Sequence, residues 1–270
     1  MDVKKVIYAT NLRKPTFRVL DGLAGLKNLG LQEILLLCAT GKEGRGDSNR
    51  LKDATLDLFE EWKKRLSDLG MNVSIRIDPC NLSASVLNTI QKNNISLVIL
   101  HLNKKEGRSI FGGSALGNIV KAANIPVLVV DKDEKGLNFG SKGMFERVLL
   151  PADWSPEYKK ALQHVIDFKE LISELELVNV IFEKLSLRDV QQLMEEMINT
   201  RKMCMKLGIS AEYHMYAGEI SEEILRAADE YESTVIVMGA TRRRKFKDIF
   251  SGRPSYRVIE KAPIPVLLVP

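Results

Sequence analysis

The sequence has few of the residues that metal proteins and most hydrolases use. It contains three cysteines and three histidines in 270 residues. The cysteines are far apart and form no C-x-x-C pair: Cys38, Cys80 and Cys204. The histidines lie in separate segments, without an Asp or Cys at ligand spacing: His101, His164 and His214. We therefore expect no metal site, no disulfide framework and a reducing compartment.

Long apolar runs and nucleophile motifs are also lacking. The first apolar run, in MDVKKVIYAT, stops at Thr10, which is too short for a signal sequence or a bilayer span, so we expect a cytoplasmic protein. Residues 40–48, TGKEGRGDS, lack the spacing of a Walker loop, and no G-x-S-x-G or H-E-x-x-H occurs. We expect no enzyme, and leave only slow ATP hydrolysis open.

The composition is that of a globular protein with a mildly basic balance. Hydrophobic residues make up 45% and charged residues 28%, which is enough for ordinary cores. A net charge of +5 suits a phosphorylated ligand but is small for a nucleic-acid protein. We therefore expect neither nucleic acid nor a membrane as the main partner.

The chain contains an internal repeat. IFGGSALGNIVKAANIPVLVV at 110–130 aligns with IFSGRPSYRVIEKAPIPVLLV at 249–269 without a gap. KVIYATNL at 5–12 aligns with RVLLPADW at 147–154, which pairs Asn11 with Asp153. The repeat predicts two domains, residues 1–132 and 146–270, joined by a linker over 133–145.

Each half alternates short apolar runs with longer amphipathic stretches. In the second half the runs RVLLPA, ELELVNVIF, SAEYHMY, STVIVMG and IPVLLVP are separated by segments with helical spacing. This pattern predicts two α/β domains, each a doubly wound five-stranded parallel sheet. Ser155 followed by Pro156 predicts the start of the first helix of the second half. Ligands of such sheets bind beyond the carboxyl ends of the strands.

Three segments and one glycine resemble the universal stress protein family: VLLPADWSPEYKKAL, VIVMGATRRR, APIPVLLV and, between the last two, Gly252. The duplication resembles the tandem members of that family. The resemblance spans the whole chain and implies flavodoxin-like domains. Nucleotide-binding members carry Gly, two residues, Gly, nine residues, Gly and Ser or Thr, with an Asp after the first strand. That pattern implies an ATP-type ligand, ATP or AMP, with or without Mg²⁺.

The second half keeps part of this pattern. Gly239 starts it, Arg242 stands at the second glycine, and Gly252 is followed by Arg253 instead of a hydroxyl residue. The resemblance implies that Asp153 and the backbone of Val180 hold the base and ribose. The residues that would surround the phosphates, with Ser255 as a substitute hydroxyl, are Gly239, Arg242, Gly252, Arg253 and Ser255. Gly218 is a further candidate because it directly follows a strand.

The first half keeps a different part. An ungapped alignment places Leu100 and Asn103 at the first two glycines, whereas Gly113 and Ser114 match the end of the pattern. Asn11 replaces the Asp. Because side chains at the glycine positions keep a phosphate away from the backbone, we expect a degenerate site made of Asn11, Asn103, Gly113 and Ser114.

The leading hypothesis is a stress-response regulator that binds an adenine nucleotide mainly through its second domain. The alternative is a scaffold with decayed sites, whose basic run at 242–247, RRRKFK, recruits an unknown protein partner. Related domains pair through the last strand, so we also expect an intrachain pseudo-dimer, with a homodimer of chains as a further state.

Overall fold

The structure is a computed structural model that describes residues 3–11, 15–40, 47–102, 115–131, 139, 143–240 and 254–270. The chain divides into two compact units, Asp2–Glu134 and Lys135–Val269. Asn103, Gly113, Ser114, Arg242, Gly252 and Arg253, and with them the whole basic run, lie outside the described residues.

The N-terminal unit contains a five-stranded parallel sheet. Its strands are β1 (Lys5–Thr10), β2 (Glu33–Ala39), β3 (Asn72–Asp78), β4 (Leu97–Leu102) and β5 (Val127–Asp131). Its helices are α1 (Arg18–Asp21), α2 (Asp47–Asp68), α3 (Leu82–Lys92) and α4 (Ala115–Ala122), with a 3₁₀ segment at Ala24–Leu29. The strand order is β3-β2-β1-β4-β5, which is a doubly wound order.

The C-terminal unit repeats this arrangement. Its strands are β6 (Arg147–Pro151), β7 (Glu174–Ile181), β8 (Ala211–Ala217), β9 (Val235–Gly239) and β10 (Val266–Val269). Its helices are α5 (Pro156–Asp167), α6 (Leu187–Lys206), α7 (Ile220–Glu230) and α8 (Pro254–Lys261), with a 3₁₀ turn at Lys169–Leu171. The order β10-β9-β6-β7-β8 confirms the predicted α/β fold.

Local sequence signals explain where the helices of the second unit begin. Ser155 caps α5 by accepting a hydrogen bond from the backbone N–H of Tyr158 at 3.0 Å, and Pro156 follows it, as the sequence predicts. Ser186 caps α6 through a capping box, in which Asp189 accepts a bond from the backbone of Ser186 at 3.1 Å. These caps fix the two helices that follow β6 and β7.

The central strands are buried because their runs are apolar on both faces. In the first unit, Tyr8 on β1 packs edge-on against Trp62 of α2, with ring centroids 5.7 Å apart. In the second unit, the ring centroids of Phe145 and Phe168 are 4.9 Å apart. Within the described part of the chain, no helix is both long enough and apolar enough to cross a membrane.

Candidate functional site

A cavity opens at the carboxyl ends of the strands in the C-terminal unit. The strand order changes direction between β6 and β9, because β7 follows β6 on one side whereas β9 lies on the other. The cavity lies at this switch point and encloses about 490 Å³. It is lined by the turn after β6, the first turn of α5, the end of β7 and the residues after it, Leu193 of α6, the start of α7, the end of β9 and the first turn of α8.

Four of the candidate residues line this one cavity. Asp153, Val180, Gly239 and Ser255 come from four separate segments, and the fold brings them together. Gly218 ends up elsewhere, since it is not among the lining residues. The φ of Gly218 is 155°, and the Glu223 carboxylate lies 2.8 Å from the position that an added Cβ would take. The lack of space for a side chain therefore explains why this residue is a glycine.

The turn after β6 presents Asp153 to the cavity. Asp153 Oδ1 accepts a hydrogen bond from the backbone N–H of Ser155 at 3.0 Å, which fixes the carboxylate beside the start of α5. Trp154, between them, adopts φ of 54°, in the left-handed region that non-glycine residues avoid. A bulky residue held in this conformation beside a cavity is typical of a functional site.

The backbone of Val180 faces the space where β6 has ended. Val178, two residues earlier, accepts a bond from the N–H of Ala152 at 2.8 Å, so its peptide groups point toward β6. Alternation along a parallel strand turns Val180 to the same side, but the β6 ladder is finished there. Within the described chain, no residue on that side pairs with the N–H and C=O of Val180.

Asn179 belongs to the site and was missed from the sequence. Its side chain is 8% exposed and lines the cavity, and Nδ2 donates to the backbone O of Ala152 at 2.8 Å. Its Oδ1 is buried and has no hydrogen-bond partner among the described residues, and the same holds for Nε1 of Trp154. Buried polar groups normally have partners, so unpaired ones in the same lining point to a ligand or water. The signal in the sequence was an amide inside the apolar run ELELVNVIF.

Gly239 has a packing role at the edge of the cavity. A Cβ at this position would lie 2.6 Å from Cβ of Glu157 and closer still to the Glu157 carbonyl group. The first turn of α5 therefore fills the space that the missing side chain leaves. The glycine explains the close contact between β9 and α5, whether or not a phosphate lies nearby.

The described lining is acidic and otherwise largely apolar. Asp153, Glu157 and Glu183 are its only charged residues, with no Lys or Arg among those described. Burial raises the pKa of Tyr158, at the inner end of the turn, to about 12, so this phenol stays neutral. No group of three or more His, Cys, Asp or Glu among the described residues could hold a metal ion.

The corresponding place in the N-terminal unit contains a histidine. The N–H of Ser96 donates to the O of Lys5, and Thr234 donates to Arg147 in the same way, both at 2.8 Å. Ser96 and Thr234 are therefore equivalent positions. Counting the same number of residues along β4 from Ser96 and along β9 from Thr234 matches His101, and not Leu100, with Gly239. The pairings of these strands with β5 and β10 give the same answer.

The ungapped alignment was therefore wrong by one residue on this strand. The segment from Gly239 to Val269 is one residue longer than the segment from His101 to Val130, and the strand pairings absorb the difference. His101 is 1% exposed and lies 2.6 Å from the Tyr8 hydroxyl through Nδ1. Burial lowers its pKa to about 4, so the imidazole is neutral. Asn11, the predicted Asp replacement, follows β1 and is exposed.

A second polar cluster lies away from the cavity. His214 on β8 meets Glu176 of β7 at 2.6 Å through Nε2, and Tyr231 at 2.9 Å through Nδ1. The sequence spacing had given this histidine no acidic partner, because the pair depends on the register of β7 with β8. None of the three residues lines the cavity.

The fold and the cavity define an α/β protein of the doubly wound, flavodoxin-like class, with a crevice at the strand switch point. The sequence model of the universal stress protein family matches residues 144–270. Universal stress protein MJ0577 of Methanocaldococcus jannaschii is 27% identical over 154 residues, covering 47% of this chain and 95% of that protein. Universal stress protein MJ0531 of the same organism is 26% identical over 142 residues, covering 47% and 84%.

A solved structure matches both units together. The universal stress protein from Archaeoglobus fulgidus DSM 4304 covers 99% of this chain and 96% of its own, with a TM-score of 0.75 and 20% identity. At this identity the likeness concerns the fold. The family match makes residues 144–270 a universal stress protein domain, and the structural likeness extends the same fold over the rest of the chain.

Proposed function

We propose that the C-terminal unit binds an adenine nucleotide, AMP or ATP, and that the protein acts as a nucleotide-responsive regulator. The observation that carries the proposal is the backbone of Val180, which lines a 490 Å³ cavity and pairs with no described residue on that side. A peptide N–H beside a C=O complements adenine, which offers an amino donor next to a ring-nitrogen acceptor. The universal stress protein domain at residues 144–270 supports the same ligand class.

The walls beside Val180 suit a flat base. Val178, Ile224 and Met238 line the cavity from β7, α7 and β9, and all three are buried. Apolar walls with a few fixed polar groups are the usual design of a small-molecule site, because the walls supply affinity and the polar groups supply orientation. In this arrangement the base lies between the apolar walls, with its polar edge against Val180.

Asp153 is the candidate for the ribose. Its carboxylate lies on the turn after β6, already held by the N–H of Ser155, and can accept hydrogen bonds from sugar hydroxyls. A carboxylate in this role is familiar from other doubly wound nucleotide sites. Replacing Asp153 should therefore weaken the binding of nucleosides and nucleotides alike, whatever their number of phosphates.

The phosphates are assigned to the end of the cavity near Gly239 and Ser255. Ser255 lies in the first turn of α8, where the positive end of the helix dipole favours an anion. Arg242, Gly252 and Arg253 complete this part of the proposal from the sequence alone. Because the described lining carries only acidic charge, cationic groups are needed for phosphate there, and Mg²⁺ enters only as a companion of ATP.

The direct test is to release and identify what the protein carries. Freshly purified full-length protein is denatured, and the released small molecules are identified by mass spectrometry. The proposal expects an adenine nucleotide in stoichiometric amount from the unmodified protein and from Asp229→Ala, which removes an exposed carboxylate on α7. Asp153→Ala should release much less. Trace amounts from the unmodified protein, together with no uptake of added AMP or ATP, would reject the proposal.

A further inference from the structure

Asn179 has a buried acceptor that no described residue uses. Its Nδ2 is committed to the carbonyl of Ala152, the group that would otherwise continue the ladder to Val180. Its Oδ1 is left without a partner among the described residues, although the side chain is 8% exposed and lines the cavity. Leaving an acceptor unsatisfied in this way is costly unless a ligand or water supplies a donor.

The orientation of this amide is fixed by its neighbour. If the amide were flipped, Oδ1 would face the carbonyl oxygen of Ala152, and two acceptors would oppose each other without a hydrogen. The carbonyl of Ala152 therefore selects the donor end of Asn179. As a result Oδ1 of this lining residue remains available as an acceptor, next in sequence to the C=O of Val180.

We infer that Asn179 reads the 6-position of a bound purine and makes the site selective for a 6-amino over a 6-oxo purine. This inference rests on the proposed adenine-nucleotide function. An exocyclic amino group carries two hydrogens, and the C=O of Val180 and Oδ1 of Asn179 are two acceptors to receive them. A 6-oxo group is itself an acceptor and offers neither oxygen a hydrogen.

The test is a ligand series measured by calorimetry on the unmodified full-length protein. AMP is compared with IMP, which has a 6-oxo group, and with purine riboside monophosphate, which has hydrogen at the 6-position. We expect AMP to bind about tenfold more tightly than purine riboside monophosphate, and IMP to bind more weakly still. Equal affinities for AMP and IMP would overturn the inference while leaving nucleotide binding intact.

A variant assigns the selectivity to one side chain. Asn179→Leu keeps the side-chain size but removes the acceptor, whereas the C=O of Val180 still receives one amino hydrogen. The preference for AMP over purine riboside monophosphate should therefore fall from about tenfold to about threefold. Ser233→Ala is the matched control, because Ser233 Oγ is also buried and has no partner in the described part of the chain but lies outside the cavity lining. An unchanged preference in Asn179→Leu would overturn the assignment. If the unmodified protein bound none of the three nucleotides, the proposed function itself would fall.

Discussion

Gly239 lies so close to Glu157 that a Cβ on the glycine would be 2.6 Å from Cβ of the glutamate. This contact joins the end of β9 to the first turn of α5, and both segments line the cavity. The glycine at the start of the family's phosphate pattern is therefore required here for packing. Its presence in the sequence supports the fold more directly than it supports a phosphate site.

Gly239→Ala should destabilise the C-terminal unit by about 1–3 kcal/mol, because the new methyl group overlaps the backbone of α5. Urea unfolding monitored by Trp154 in a Trp62→Phe background measures this unit. Gly208→Ala is the control, since its φ of 86° is strained for alanine but no atom lies within 4 Å. It should lower stability without weakening AMP binding, whereas Gly239→Ala should do both. Wild-type stability in Gly239→Ala would contradict the contact.

Trp154 should report ligand binding. Its indole lines the cavity, whereas Trp62 is 2% exposed in the core of the other unit. In Trp62→Phe, which keeps only Trp154, saturating AMP should change the emission intensity or maximum. In Trp154→Phe, which keeps only Trp62, the spectrum should stay the same. A change in emission seen only in the variant that keeps Trp62 would place the ligand in the N-terminal unit and contradict the proposed site.

His101 should make the N-terminal unit sensitive to acid. Burial lowers its pKa from 6.5 to about 4, so the unfolded chain takes up a proton in this interval and the folded chain does not. The associated stability is complete above pH 6.5, decreases as the pH falls to about 4, and amounts to about 3 kcal/mol. His101→Gln should lose this part of the pH dependence, as measured by urea unfolding in a Trp154→Phe background, where Trp62 is the probe.

The control for this experiment is His164→Gln in the C-terminal unit. It removes a half-buried histidine and should leave the curve detected by Trp62 unchanged. Parallel pH curves for the unmodified protein and His101→Gln would show that the buried imidazole is not the source of the acid sensitivity.

The capping box at Ser186 should stabilise the helix that borders the cavity. Ser186 Oγ accepts from the N–H of Asp189 at 3.2 Å, so Ser186→Ala leaves that donor without its cap. We expect a loss of about 1 kcal/mol and faster amide exchange in the first turn of α6. Ser210→Ala, an exposed serine whose described bond uses only its carbonyl, is the comparison. Equal exchange in the two variants would argue against the box.

The sequence predicted the α/β class and the strand ends well, because buried parallel strands are short apolar runs and α5 begins at a standard cap. Asp153 and Gly239 could be located in advance for the same reason, since Asp153 lies in the turn just after β6 and Gly239 ends β9. Asn179 could not, because its importance arises from a hydrogen bond to Ala152 across two strands. Such a contact depends on register, which a single sequence does not determine.

The same limit explains two other differences. The ungapped alignment did not match His101 with Gly239, because the two segments differ in length by one residue. Only the strand pairings reveal this difference. Gly218 was selected for its position after a strand, but its backbone conformation and the Glu223 contact account for it without a ligand. Position along the chain was enough to locate the carboxyl ends of the strands. Tertiary contacts determine which of the residues there line the cavity.

The central claim is that one adenine nucleotide binds per chain, in the C-terminal unit. Calorimetric titration of AMP into the full-length protein, at two temperatures so that a small enthalpy is not mistaken for no binding, tests it most directly. The account predicts one saturable site per chain that Asp153→Ala weakens about tenfold or more and His101→Gln leaves unchanged. Two equivalent sites per chain, or no binding at either temperature, would contradict it.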